Sequence, residues 1–361
     1  MLAPLLTPLL ACIALIPLLA TLIARIPLRW WWIRCFEFPR VQIATLSLLC
    51  GVSALVFLSP GNWRTAIWVI VLITVALQSQ YILPWTRLWP VDVKNASKQS
   101  SSKQHITLLI ANVLTPNRHT EGLLGMIQQH QPDIILTLES DQWWQDKLDP
   151  VLAERWKYNV KVPLDNLYGM HLYSRLPLKD TSVKWLIQED IPSIHTQVQL
   201  ESGDYIRLYA VHPRPPAPSE SEKSLWRDAE LLWVGQEVHQ TPQPTLVAGD
   251  LNDVAWSRTT RLFCRVSGML DPRRGRGMFS TFHAKNPLLR WPLDHIFVTN
   301  HFTLVNMQRL DAFGSDHFPI LATLCYQPSR QNEQERPEAD SEEHQQASET
   351  IQKGKTEKQL I

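Results

Sequence analysis

The sequence predicts an α/β fold: two mixed β-sheets packed face to face under outer helices, preceded by about three transmembrane helices. Three observations predict it. Short apolar runs recur from Ile106 to Cys325, some consecutive and some alternating with helical periodicity, a mixture that suits two packed sheets better than one doubly wound sheet. Polar residues stand at the ends of these runs rather than inside them. Long uncharged segments are confined to the first 90 of 361 residues.

Residues 2–24 are uncharged and mostly Leu, Ala and Ile; residues 41–58 and 65–83 are similarly apolar, apart from a few hydroxyls, Gln78 and Gln80. About 20 apolar residues cross a bilayer, and membrane helices tolerate prolines such as Pro4, Pro8 and Pro17. A cleaved signal peptide fits less well, because no basic stretch precedes the apolar run and no small-residue cleavage site follows it. Buried helices of a soluble domain would show a polar face, and these segments do not. Trp30, Trp31, Trp32, Trp63, Trp85 and Trp89 read as an interfacial belt. Arg25, Arg29, Arg34 and Arg40 face only Glu37, and Arg87, Lys94, Lys98 and Lys103 follow the last apolar segment. The positive-inside rule therefore places loop 25–40 and everything after residue 83 on the cytoplasmic side of a multi-pass membrane protein.

Residues 91–104 (VDVKNASKQSSSKQ) have linker composition, and residues 327–361 are polar, lack aromatics and are predicted to be disordered. One globular domain remains, residues 105–326. Its first strand is Ile106–Ala111. Leu123, Leu124 and Ile127 then recur at helical spacing until Gln131-Pro132 stops the helix. Strands follow at Ile134–Leu138, Tyr168–Tyr173, Val183–Ile187, Ile194–Leu200 and Tyr205–Val211. Ser219 and Glu222 form a capping box that opens a helix to about His239. Thr245–Ala248, Leu293–Val298 and Ile320–Cys325 complete the strands.

The charge balance, 35 Lys+Arg against 34 Asp+Glu, argues against a strongly basic nucleic-acid binder. Five cysteines without any C-x-x-C exclude a zinc ribbon or redox pair, and Cys264 and Cys325 read as free buried thiols.

The chemistry is written at the strand ends. Asn112 follows the first strand, Glu139 the second and His212 the run Tyr205–Val211. Gly249-Asp250-Leu251-Asn252 follows Thr245–Ala248, Asp294 opens Ile296–Val298, and Ser315-Asp316-His317 precedes the last strand. Brought to one rim, these residues make a hard-cation site beside a general acid/base. Glu139, Asp316 and Asn112 offer the oxygen ligands that suit Mg²⁺ or Mn²⁺. Asp250 is placed to orient or deprotonate a water, with Asn252 beside it. His317 is placed to contact a phosphoryl group, with Asp294 fixing its tautomer.

This ordered set resembles the endonuclease/exonuclease/phosphatase superfamily, which includes deoxyribonuclease I, abasic-site endonucleases, sphingomyelinases and inositol-polyphosphate 5-phosphatases. Tyr173-Ser174-Arg175-Leu176-Pro177-Leu178 adds to it, and the resemblance covers about 105–326. It implies a four-layer α/β sandwich and divalent-metal-dependent phosphoester hydrolysis. It also implies Glu139 as principal metal ligand with Asn112 and Asp316 nearby, Asp250 and Asn252 at the nucleophile, His317 with Asp294 on the phosphate, and His212 as a second phosphate-facing histidine. Leu138 before Glu139, Leu251 in the Gly-Asp-Leu-Asn turn, and Pro213-Arg214-Pro215-Pro216 after His212 depart from the family pattern.

Trp143-Trp144 reads as packing. Arg258, Arg261, Arg265, Arg273, Arg274 and Arg276 read either as a solvated face or as a patch for phosphate. The short tether to apolar segments favours a lipid phosphate, lipid diphosphate or phosphodiester as substrate. A membrane-tethered nuclease is the alternative, so the partners are the lipid bilayer and a phosphorylated lipid or nucleic acid.

Overall fold

The computed structural model describes residues 3–358. They form two compact units: one runs to Pro90 and includes Pro216–Ser224; the other comprises Val91–Pro215 and the chain from Leu225 onward.

The first unit holds helices α1 (Ala3–Ile23), α2 (Trp31–Arg34), α3 (Arg40–Phe57) and α4 (Asn62–Ile82). Arg40–Phe57 and Asn62–Trp85 are long and apolar enough to cross a membrane, whereas the apolar stretch Thr7–Ile23 is shorter than that standard. Ala14, Ala54, Ile67 and Val71 pack between these helices. Val56, Phe57 and Leu72 point outward at 67%, 62% and 61% exposure. Gln78 Nε2 donates to Thr21 Oγ1 at 2.8 Å, a buried polar bond between α4 and α1. The Pro216–Ser224 segment joins this unit through backbone bonds from Trp31 N to Glu222 O and from Ser224 N to Arg29 O.

The second unit runs β1 (His105–Asn112), α5 (Thr120–His130), β2 (Ile134–Leu138), α6 (Gln142–Leu152), β3 (Tyr158–Val162), β4 (Met170–Ser174), β5 (Leu178–Lys184), β6 (Ser193–Gln199) and β7 (Tyr205–Ala210). It continues with α7 (Leu225–Gln240), β8 (Thr245–Asp250), α8 (Arg258–Ser267), β9 (Asp294–Val298), β10 (Phe302–Arg309), β11 (Ile320–Tyr326) and α9 (Ser341–Lys358). One sheet has the order β10-β11-β1-β2-β4-β3, the other β5-β6-β7-β8-β9. Each is mixed around one parallel pair, β1 with β2 and β7 with β8.

Alternate residues of each strand serve two cores. Ile106, Leu108 and Ile110 of β1 meet Leu208, Leu246 and Ile296 between the sheets. Leu109, Ala111 and Ile135 face the other way, onto α5 and Trp144 and Leu148 of α6. Tyr209, Val247 and Phe297 turn outward to Ala229, Val234 and Phe263 on α7 and α8. Both faces of both sheets are therefore covered, which is why the strands read as continuous apolar runs. The result is the four-layer α/β sandwich.

Several elements differ from expectation. The Ser219–Glu222 capping box does not open the helix: α7 starts at Leu225, after a turn in which Ala217 bridges Ser221. β5 lies earlier than Val183–Ile187. α6, β3 and β10 were not foreseen. The 91–104 linker is partly packed, with Val93 fully buried and Ala96 N bonded to Leu304 O. The tail expected to be disordered forms α9, whose Ala347 and Ile351 pack with Leu232, Leu262 and Val266. Its polar composition hid this, because two buried apolar side chains and the close approach of Gly354 to Ala229 suffice for docking. Cys264 and Cys325 are free thiols.

Candidate active site

Parallel pairing puts strand C-termini side by side. In one sheet Asn112 ends β1 in register with Leu138, so Glu139 emerges next to it. The N-terminal end of antiparallel β11 lies at the same rim, bringing Asp316 and His317 there. The other sheet repeats the arrangement: His212 follows β7, Asp250 ends β8, and Asp294 opens antiparallel β9 directly opposite Asp250. The two rims meet at one hydrogen-bonded set.

Asn112 is its bridge. Its Nδ2 donates to Glu139 Oε1 at 2.6 Å and to Asp250 Oδ2 at 3.1 Å, across the two sheets. Its Oδ1 accepts from Leu114 N at 3.0 Å, and its carbonyl accepts from Ser315 Oγ at 2.8 Å. Ser315 Oγ also accepts from His317 N at 3.0 Å. Asp294 Oδ2 lies 2.8 Å from His317 Nδ1, and Asp250 Oδ2 lies 3.5 Å from His317 Nε2 and 3.9 Å from His212 Nε2. Asn252 N donates to Asp250 Oδ1 at 2.9 Å, and Asn252 Nδ2 donates to Pro213 O at 3.1 Å.

The backbone is bent to achieve this. Glu139 and Asn252 sit at φ +55° and +50°, a left-handed region that is costly for residues with a Cβ and that recurs at functional sites. Gly249 sits at φ +147°, and a Cβ there would fall 1.9 Å from Val211 O. The turn that presents Asp250 thus requires glycine before it.

Burial dominates the electrostatics. It pushes the Glu139 carboxyl up to about 7; neighbouring Asp250 and Asp316 add to this, while the Asn112 amide and His317 oppose it. Burial and Asp294 also raise Asp250, against the pull of His317 and the Asn252 N–H. Burial acts to lower His317, but Asp294 and Asp250 outweigh it and raise the imidazole above its ordinary range. His212 is pushed down to about 3 by burial and by the charge of His317, and is neutral.

All eight sequence-predicted residues reach this rim. Glu139, His212 and Asp250 form one compact group of possible ligand atoms, and Asp250, Asp294 and His317 form another. Asp316 belongs to neither and acts on Glu139 and His317 through its charge. A cation fits the donor set: the carboxylates crowd together, and the Asp294 Oδ1 is buried with no hydrogen-bond partner.

Supporting residues escaped sequence reasoning. Arg227 of α7, fully buried, donates from Nη1 to Asn252 O at 2.8 Å, and its Nη2 lies 3.2 Å from Asp253 Oδ2. Arg273 donates from Nη1 to Asp294 O at 3.0 Å and pairs with Asp271 at 2.7 Å. The Arg258–Arg276 cluster is therefore no free phosphate patch. Arg265 pairs with Glu343, Arg274 with Asp92, and Arg276 with the Val93 carbonyl and Asn95. Trp144 is fully buried, as packing required, and Arg118 covers the Trp143 ring at 4.6 Å. Tyr168 was not singled out either: its ring lies 5.3 Å from His212 and carries Arg214 at 5.2 Å on its own ring.

Comparison with known proteins agrees with this geometry. Residues 109–317 match the model of the Endonuclease/Exonuclease/phosphatase family. No curated protein matches the chain. Among solved structures, the catalytic domain of human Nocturnin with bound sulfate is similar at 17% identity and TM-score 0.52, covering 63% of this chain and 95% of that one. D. rerio TDP2 complexed with a single-strand DNA product is similar at 17% identity and TM-score 0.51, covering 61% and 98%. An endonuclease/exonuclease/phosphatase from Beutenbergia cavernae is similar at 14% identity and TM-score 0.51, covering 62% and 72%. These likenesses establish the shared fold. With most of its length matched and the ordered residues gathered at one rim, the chain belongs to the Endonuclease/Exonuclease/phosphatase family and is a phosphoester hydrolase.

Proposed function

We propose that the protein is a membrane-anchored, Mg²⁺- or Mn²⁺-dependent hydrolase of a lipid phosphate, lipid diphosphate or lipid phosphodiester. One observation carries the lipid part of this reading: the carboxylate–imidazole rim shares its chain with helices whose outward side chains, such as Val56, Phe57 and Leu72, are apolar. Exposed apolar surface on this scale marks a membrane or partner contact. The Arg-rich loop 25–40 favours a multi-pass inner-membrane protein with its hydrolase on the cytoplasmic side.

Glu139, its carboxylate oriented by the Asn112 amide and with Asp316 nearby, would hold the cation, which neutralises phosphate oxygens when bound. Asp250, oriented by the Asn252 N–H and the Asn112 amide, accepts the proton of the attacking water. Asn252 positions that water. His317, kept cationic by Asp294 and Asp250, donates to a phosphoryl oxygen. His212, kept neutral by burial, offers a second polar contact to the phosphate.

Phosphate or headgroup release from detergent-purified protein tests the reading. The substrates are a polyprenyl diphosphate, a phosphatidylinositol phosphate, sphingomyelin and duplex DNA, each with Mg²⁺ or EDTA and with Glu139→Ala as control. Metal-dependent lipid turnover lost in the variant supports it. DNA cleavage with inert lipids makes the protein a tethered nuclease and overturns it.

A further inference from the structure

Beside His317 lies a pair of cations that the hydrolytic machinery does not use. The segment 281–291 folds back on itself, with Thr281 N and Phe282 N both bonded to Trp291 O. It is stitched to the catalytic strand by Phe318 N to Thr281 O at 2.8 Å and Ala284 N to Asp316 O at 2.6 Å. Phe282 stands 5.1 Å from the His317 ring. On the next residue, the Phe318 ring carries two guanidinium groups, Arg309 at 4.2 Å and Arg290 at 5.0 Å.

Their partners set them apart. Arg118, Arg175, Arg214, Arg227, Arg265, Arg273 and Arg274 each pair with a carboxylate. Arg290 donates only to the carbonyls of His283 and Ala284, at 3.4 and 3.2 Å, and Arg309 only to the Ser280 carbonyl, at 2.9 Å. Among the described residues neither has a carboxylate within salt-bridge distance. Asp311 is near enough to act on Arg309 through its field, but Arg290 acts more strongly in the opposite sense and, with burial, lowers the Arg309 pKa. Two like charges sharing one ring repel each other. Cation–π contacts are worth only about 0.5–1 kcal/mol at exposed sites, whereas an anion would engage both planar forks.

We propose that Arg290 and Arg309, seated on Phe318 one residue beyond His317 in the chain, form an anion subsite that holds a non-reacting phosphate of the substrate, such as the second phosphate of a lipid diphosphate. The proposal rests on the lipid reading above and deepens it. The subsite selects lipid diphosphates over monophosphates, because only the former present a second phosphate to the paired guanidiniums.

The test is binding of inorganic pyrophosphate to metal-free, full-length protein in detergent, followed by calorimetry. The expected result is at least tenfold weaker binding in R290Q/R309Q than in wild type, with Lys353→Gln, the loss of an exposed cation on α9, binding like wild type. Unchanged affinity in the double variant, equal loss in Lys353→Gln, or no binding by wild type overturns the subsite. So does weaker binding of a short single-stranded oligonucleotide with pyrophosphate binding intact, which would assign the pair to a nucleic-acid backbone. Should the double variant fail to fold, R309Q alone, at an exposed position bonded only to Ser280 O, is expected to weaken binding about threefold, and no change there overturns the subsite. Because no metal or turnover is needed, a failed lipid assay alongside a positive titration would sink the lipid reading and leave the anion subsite standing.

Discussion

Asp294 holds His317 from the opposite side to Asp250: Oδ2 of Asp294 is 2.8 Å from Nδ1, and Oδ2 of Asp250 is 3.5 Å from Nε2. The imidazole is thus clamped between two buried carboxylates that fix both its orientation and its charge. Asp294→Asn keeps the shape of the clamp and removes half its charge. It is expected to lower kcat by about 10²- to 10⁴-fold, the range for a lost acid/base contribution, with KM little changed. Steady-state kinetics on a chromogenic phosphodiester decides it, and a fall of less than about threefold would count against a catalytic His317.

In the proposed metal site, the Glu139 carboxyl, raised to about 7, would make cation binding pH-dependent. Below that value a proton competes for the ligand; above it the carboxylate is free. Apparent Mg²⁺ or Mn²⁺ affinity is therefore expected to tighten as pH rises from about 6 to 8. Metal titrations across that window, with Glu139→Gln as control, check this. A flat profile in wild type would remove Glu139 from the ligand set.

Glu230 on α7 is buried with its Oε1 unpaired, and burial pushes its carboxyl up to about 8 from an ordinary 4.5. The unfolded chain releases that proton near the ordinary value while the folded chain retains it. Stability consequently falls as pH rises from about 4.5 to 8 and levels off beyond. Glu230→Gln removes this slope, and a gain of about 1–3 kcal/mol is expected at pH 8 with none at pH 4. Thermal unfolding at the two pH values tests it; an equal effect at both would show that ionisation is not the cause.

Gly249→Ala places a methyl 1.9 Å from the Val211 carbonyl at φ +147°. Backbone cannot yield as a flexible side chain does, so a loss of at least about 3 kcal/mol is expected, together with displacement of Asp250. Unfolding midpoints and residual activity report the two effects separately, and a variant with wild-type stability would refute the close approach.

Arg227→Lys keeps a positive charge on α7 but cannot reproduce a fork that reaches Asn252 O, Asp228 and Asp253 together. The expected outcome is a drop of about 10-fold in kcat with the apolar core intact, through loss of the Asp250–Asn252 turn geometry. Unaltered kcat would make Arg227 a stability residue only.

The site was legible in sequence because each of its residues interrupts or ends an apolar strand, and strand ends gather where parallel neighbours stop together. Asn112, Glu139, Asp250 and His317 carry that signal individually. The supporting shell was not legible. Arg227 looks like any solvent-facing arginine of an amphipathic helix, and its partner Asp253 comes from a different element. Arg273 sat within a run of arginines whose carboxylate partners, Asp92 and Glu343 among them, lie far away in sequence. α6 was missed because Trp144, Leu148 and Leu152 are embedded among acids and glutamines. α9 was missed because most of its surface is polar and its docking depends on a glycine.

In the proposed reaction, water activated at Asp250 attacks a phosphoester with help from a bound cation. Turnover of a chromogenic phosphodiester in ¹⁸O-labelled water tests it most directly. The expected product carries one labelled oxygen in its phosphate group, formed with Mg²⁺ or Mn²⁺ and abolished by EDTA and by Asp250→Asn. Undiminished turnover in EDTA and in Asp250→Asn would contradict it.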